Sequence, residues 1–178
     1  VTSLLALNFF PDAEGAVQEM RSVAAPQATV SGCVWDYSDG MLFLRHFWDA
    51  AASQDAAASG LDEGHRFPLC RRDALMRLFR ESGFDEVRCE PIEIHTVFAS
   101  FDDYWRPFLG GTGPAPSYVA SLGNDRRATL ARSLDETLPR GADGMINLTA
   151  RAWAGRGTGH ERVPWTRPDT WLLGRVHG

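Results

Sequence analysis

The sequence predicts an α/β fold built on a largely parallel sheet, and three features carry that expectation. An apolar run at 1–6 and a β-rich run at 28–35 enclose a helical pattern, which is the strand–helix–strand unit of a parallel sheet. A second helical pattern at 71–82 leads into a further strand at 86–98. The last regular stretch, 143–155, alternates Ile146, Leu148, Ala150, Ala152 and Ala154 with more polar neighbours, as an antiparallel strand near a sheet edge does.

Each element has a local cause. The opening run is apolar on both faces, like the interior of a buried parallel strand, so more chain is expected before it. Pro11-Asp12 is a helix start with Asp12 able to cap, and Ala13, Ala16, Val17, Met20 and Val23 recur at helical spacing until Pro26. Residues 36–40 (DYSDG) form a turn, and 41–52 an aromatic-rich helix. Segment 53–70 is small, polar and turn-rich, and is expected to be a loop with one short helix at most. Leu75, Leu78 and Phe79 share one face of helix 71–82, and Gly83 is placed as its stop. Pro91 is a possible break in the strand that follows. Ser100 and Asp103 stand at capping-box spacing before a short helix, and two more helices are expected at 114–122 and 125–138 beyond a glycine-rich break. The stretch 158–178 shows no sustained period and is expected to be an unstructured tail.

Composition narrows the function. Ten Phe, six Trp and three Tyr within 44% hydrophobic content give a real core and argue against disorder. A net charge of −5 offers no basic footprint for nucleic acid or anionic lipid. All 18 cationic side chains are Arg, so no Lys is present to form a Schiff base. Cys33, Cys70 and Cys89 fit neither a zinc ribbon nor a disulfide framework and read as buried or half-buried thiols in a reducing compartment. No apolar run approaches the ~20 residues of a membrane span, so a cytoplasmic protein is expected. No HxxxH pair or carboxylate cluster points to a metal, and no GxSxG elbow to a serine hydrolase.

The ordered motifs SLLALNFFPDAEGAVQEMRSVAAP (3–26), VWDYSDGM (34–41), RHFWDAA (45–51), LDEGHRFPLC (61–70), FDDYWRPFLGGTGPAPSYVASL (101–122) and DGMINLTARAWAGRG (143–157) resemble those of one group of class I S-adenosylmethionine-dependent methyltransferases (methyltransferase type 11-like). The resemblance spans about residues 1–157 and implies the carboxyl-terminal part of a Rossmann-like sheet, its strands 4-5-7-6, with the last strand in sequence antiparallel between its neighbours. It also implies that the first strand ends near Leu5 and that helices 100–138 form a lid over a substrate pocket. Pro26-Gln27-Ala28 stands where that family has Pro-Gly-Gly, which removes the residues best suited to positive φ. The glycine-rich loop that grips the cofactor in such enzymes is not found: GGTGPAP (110–116) follows a helix and opens no strand–helix unit. A fragment that begins downstream of the cofactor loop is therefore expected.

In-line methyl transfer needs donor and acceptor aligned in a water-poor site, at the carboxyl ends of the parallel strands. By resemblance Ser3, Leu4, Leu5 and Asn8 would touch the methionine part of S-adenosylmethionine. Trp35 and Tyr37 would wall a small-molecule acceptor, with Tyr104 and Trp105 closing over it from the lid. Asp36 and His46 are the catalytic candidates. The same residues admit a plainer reading: Asp36 as a helix cap, His46 as a surface imidazole, the aromatics as core. The rival function is a non-catalytic half-domain that self-associates through an exposed first strand.

Overall fold

The computed structural model describes residues 1–159, so 160–178, where nearly all of the expected tail falls, lie outside the described residues. Strand β1 (Thr2–Leu4) is followed by a 3-10 turn (Leu7–Phe9), helix α1 (Ala13–Val23) and strand β2 (Thr29–Trp35). Helices α2 (Leu42–Gln54), α3 (Glu63–Arg66) and α4 (Arg72–Glu81) lead to strand β3 (Asp85–Phe98). Helices α5 (Phe101–Gly110), α6 (Pro114–Ser121) and α7 (Asn124–Thr137) precede strand β4 (Ile146–Thr158). The sheet order is β1-β2-β4-β3. β1 and β2 are parallel, Leu4 opposite Cys33, and β4 runs antiparallel to both β2 and β3.

The predicted caps form. The Asp12 carboxylate accepts from the Gly15 N–H at 2.8 Å, and the Ser100 hydroxyl accepts from the Asp103 N–H at 3.2 Å. Asp103 reaches back to the Ala99 N–H at 3.1 Å, which closes both sides of the α5 entry.

Several expectations are corrected. The strand does not break at Pro91: β3 runs through it, with Pro91 opposite Trp153, because β3 is an edge strand and a missing N–H is tolerated there. β4 extends to Thr158, one residue into the stretch expected as tail, since Thr158 pairs with Thr29. The loop 53–70 holds a 3-10 turn (Ala56–Gly60) as well as α3. The corner at 26–28 keeps its left-handed residue without a glycine, Gln27 itself taking φ 57°.

Two cores sit on the two faces of the sheet. On one, α1 and α4 bury Val17, Leu75 and Phe79 against Val30 and Val34 of β2. On the other, α2 and α5–α7 enclose Phe47, Trp48, Tyr104, Phe108, Leu130 and Leu134 with Ile146 and Leu148 of β4. Each large side chain buried in this way contributes about 2–3 kcal/mol by burial. The second core thus packs its helices against the start of β4 and against Phe98 at the end of β3.

Candidate functional site

The carboxyl ends of β1 and β2 lie side by side, and the backbone departs abruptly from each. Leu5 takes φ 55° while its N–H donates to the Cys33 carbonyl at 2.8 Å. A left-handed Leu costs of order 1–2 kcal/mol, and here it turns the chain off the sheet into the 3-10 turn. Ser3 and Leu5 are half-buried, and Leu4 is 69% exposed. The Asn8 amide nitrogen is buried and has no hydrogen-bond partner among the described residues. An orphaned buried donor of that kind costs about 1–3 kcal/mol unless a ligand or water meets it.

Trp35 is half-buried at the end of β2, and Asp36 beyond it is 2% exposed. One Asp36 carboxylate oxygen accepts from the Asp39 N–H at 3.1 Å, the other from Arg151 Nε at 2.8 Å. The Arg151 guanidinium also approaches Glu93 at 3.5 Å and lies over the Trp153 ring, 4.9 Å from its centroid. Asp36 is therefore a charge anchored from β4. Tyr37 packs on Phe67, centroids 5.9 Å apart, and Phe67 meets Phe9 edge-on at 5.3 Å. An aromatic wall thus runs from the end of β1 to the end of β2. Burial, with smaller contributions from Cys70 and Glu63, pushes the Tyr37 hydroxyl up to about 12, so it acts as a neutral donor.

Beyond Tyr37 lies a polar network that the sequence did not announce. Asp62 and Glu63, at the start of α3, are 3% and 7% exposed. Asp62 caps α3 by accepting from the Gly64 N–H at 2.8 Å and is paired with the Arg45 guanidinium. His65 Nδ1 stands 3.7 Å from the other Asp62 oxygen. Glu63 accepts from Trp48 Nε1 at 2.6 Å and makes no ion pair among the described residues. Gly64 permits this packing: a Cβ there would come within 2.9 Å of the Tyr37 carbonyl. Desolvation by burial raises the Glu63 carboxyl above its ordinary range, and the hydrogen bonds from its own backbone N–H and from Trp48 only partly offset it.

Glu63 also borders a cleft of about 420 Å³ between the start of α2 and the α5–α6 loop. Phe43, Leu44, Pro107, Phe108, Ala115 and Pro116 make its apolar wall. That volume suits a small organic molecule. Tyr104 and Trp105 stand one layer behind the cleft, their rings 5.5 and 5.7 Å from Phe108. Tyr104 is fully buried and its hydroxyl donates to the Phe43 carbonyl at 2.8 Å, so it holds the cleft's wall in place. His46 is half-buried on α2, and desolvation lowers its pKa against the opposing pull of Asp49.

The structure thus brings Ser3, Leu5, Asn8, Asp36 and Tyr37 to one end of the sheet, and sets Tyr104 and Trp105 into the core. Sequence reasoning missed Arg45, Asp62, Glu63 and Arg151. The signal available for Asp62-Glu63 was their place directly before Gly64 within the motif LDEGHRFPLC.

No protein-family profile matches the chain, and no curated protein does. Among 27 solved chains that match is a Bacillus halodurans protein assigned as a methyltransferase without an established activity. It is 13% identical with a TM-score of 0.46, and the match covers 90% of this chain and 63% of that one. This chain therefore spans less than two thirds of that protein's length, and a likeness of this size decides nothing about function.

Proposed function

We propose that this chain is part of an S-adenosylmethionine-dependent methyltransferase acting on a small-molecule acceptor. The observation that carries the reading is the sheet: a parallel β1–β2 pair followed by a last strand inserted antiparallel between β2 and β3. On this reading the four strands are the fourth, fifth, seventh and sixth of a Rossmann-like sheet, and the glycine-rich loop belongs to sequence upstream.

The residues at the end of β1 fit one portion of the cofactor. Asn8 offers a buried, unmet amide donor, and the turn at Leu5 opens space above the strand. Ser3, Leu4, Leu5 and Asn8 would hold the methionine part; the cofactor, when bound, supplies a methyl group on a sulfonium. Trp35 and Tyr37 face the acceptor between that end and the cleft under α5–α6. His46, kept neutral near pH 7 by burial, is the imidazole able to take a proton, and Asp36 fixes the floor through Arg151.

Calorimetric titration with S-adenosylmethionine tests the reading. The 178-residue chain is expected to give no binding heat, and the protein extended upstream through an in-frame glycine-rich strand–loop–helix unit to bind in the micromolar range. An extended protein that carries the loop and fails to bind, or upstream sequence without such a unit, overturns it.

A second reading, a self-associating half-domain, is favoured by one feature. Leu4 on β1, an edge strand among the described residues, is half or more exposed, as are Ile92 and Ile94 on β3. Its occupant would be a second copy of this chain.

A further inference from the structure

We infer that the cleft under the α5–α6 loop selects a ligand with an apolar body and a cationic nitrogen, for which Glu63 is the counter-charge. The inference rests on the methyl-transfer reading, takes the cleft as the place where the acceptor's body lodges beyond Tyr37, and names the acceptor's class.

The cleft wall is aromatic and aliphatic apart from two polar side chains, Glu63 and Thr112, and Glu63 alone of its lining residues ionises. Glu63 is buried to more than nine-tenths of its surface. A buried carboxylate is costly unless a cation pairs with it. The nearby cation does not serve: the Arg45 guanidinium is paired through one nitrogen with Asp62, its buried Nε meets no acceptor among the described residues, and its influence on Glu63 is the smallest of the causes acting there. What Glu63 receives instead is two neutral donors, its own backbone N–H and the Trp48 indole N–H at 2.6 Å, which orient the carboxylate and bring it no positive charge. Asp62 has Arg45 as its ion-pair partner, so the carboxylate left without one among the described residues is Glu63.

The apolar wall argues the rest of the ligand. Phe43 and Phe108 stack at 4.6 Å, and Phe47 stacks on Phe108 at 4.4 Å, making a rigid aromatic floor. A flat hydrophobic body would desolvate against it, and a ring face also favours a neighbouring cation. An anionic ligand is disfavoured on two grounds: it would meet Glu63 directly, and among the described residues the cleft wall offers no guanidinium or imidazole to receive it.

The test uses the 178-residue chain without cofactor and three probes of one shape: 2-phenylethylamine, 2-phenylethanol and 3-phenylpropanoate, titrated by ligand-observed NMR at neutral pH. The amine is expected to bind at least roughly tenfold tighter than the alcohol, the size of one charge-assisted hydrogen bond, and the carboxylate to bind least. Glu63→Gln keeps an acceptor for Trp48 and should bring amine and alcohol to within about twofold of each other. Thr112→Trp, on the exposed rim of the cleft, should block the amine in the otherwise unaltered protein, and it decides the matter if the Glu63 variant fails to fold. Equal binding of amine and alcohol, a preference for the carboxylate, no amine binding, or amine binding unchanged in either variant overturns the inference. Because no cofactor is present, such a failure removes the ligand class and leaves methyl transfer standing, to be judged by the cofactor titration.

Discussion

Arg151, midway along β4, places its Nε 2.8 Å from the carboxylate of Asp36 at the end of β2, across a sequence separation of 115 residues. The two partners are not equivalent. Asp36 is 2% exposed while the Arg151 side chain keeps 28% of its surface, so loss of the Arg strands a charge and loss of the acid does not. Arg151→Met is expected to lower the unfolding free energy by about 3 kcal/mol, and Asp36→Asn by about 1–2 kcal/mol. The double variant should cost less than their sum. Urea unfolding checks the order, and an Asp36→Asn variant less stable than Arg151→Met would contradict it.

Glu63 sets a pH dependence of opposite sign to the usual carboxylate. Burial raises its folded pKa above the unfolded value near 4.5, so the folded state holds this proton more tightly than the unfolded chain does. The stability it contributes is full below the unfolded value and is lost as pH rises through the folded one. Glu63→Gln removes that loss. The variant's stability relative to the parent should therefore improve as pH rises from about 4.5 and level off once the parent's Glu63 is ionised. Thermal melts of both proteins across pH 4–8 read this directly; a difference that does not change with pH would show that burial leaves this carboxyl unperturbed.

Gly83 ends α4 with φ 79°, and the backbone around it forms a Schellman closure: Gly83 N–H to the Arg80 carbonyl at 2.9 Å and Phe84 N–H to the Phe79 carbonyl at 3.2 Å. The Phe79 and Phe84 rings, 5.5 Å apart, add the hydrophobic contact that accompanies such a stop. Gly83→Ala is expected to cost about 1–2 kcal/mol in chemical unfolding, since a Cβ disfavours the left-handed region. Arg21, whose guanidinium would meet that Cβ at 3.0 Å, is flexible enough to yield, so the loss should not exceed this range.

This stop was readable because every cue lies within a few residues of it, and the same holds for the caps at Asp12 and Ser100. The strand–helix–strand order was readable for a related reason: apolar runs and helical spacing are local signals of burial. Pro91 misled because strand tolerance depends on edge position, which only the assembled sheet defines. Gln27 misled in the other direction, since packing of the chain on either side can hold a non-glycine residue at φ 57°. The Glu63 network stayed hidden for a deeper reason. Asp and Glu in a turn-rich segment read as solvated, and only the fold carries Arg45 and Trp48 of α2 over them. Asp36, by contrast, was singled out from the sequence, yet its partner lies on a strand 115 residues away, beyond the reach of any periodicity.

Leu4 poses the remaining test, because it distinguishes an edge that recruits a partner from one that is merely open. It projects at 69% exposure from β1, whose other side is already paired with β2. A leucine there has nothing to gain from water and stands on a strand whose outer backbone groups are unpaired among the described residues. Strand addition by a second copy would bury the side chain and satisfy those groups together, which neither an isolated apolar patch nor a polar edge achieves. Leu4→Lys should suppress that pairing through like-charge repulsion between copies and through the cost of burying an ammonium, while losing little stability in the monomer because the site is already wet. Multi-angle light scattering over a concentration series reads the outcome: the parent is expected to gain mass with concentration and the variant to remain at 19.7 kDa. A parent that stays monomeric throughout would mean that three residues of edge strand are too short to hold a copy, and the self-association reading would then fail.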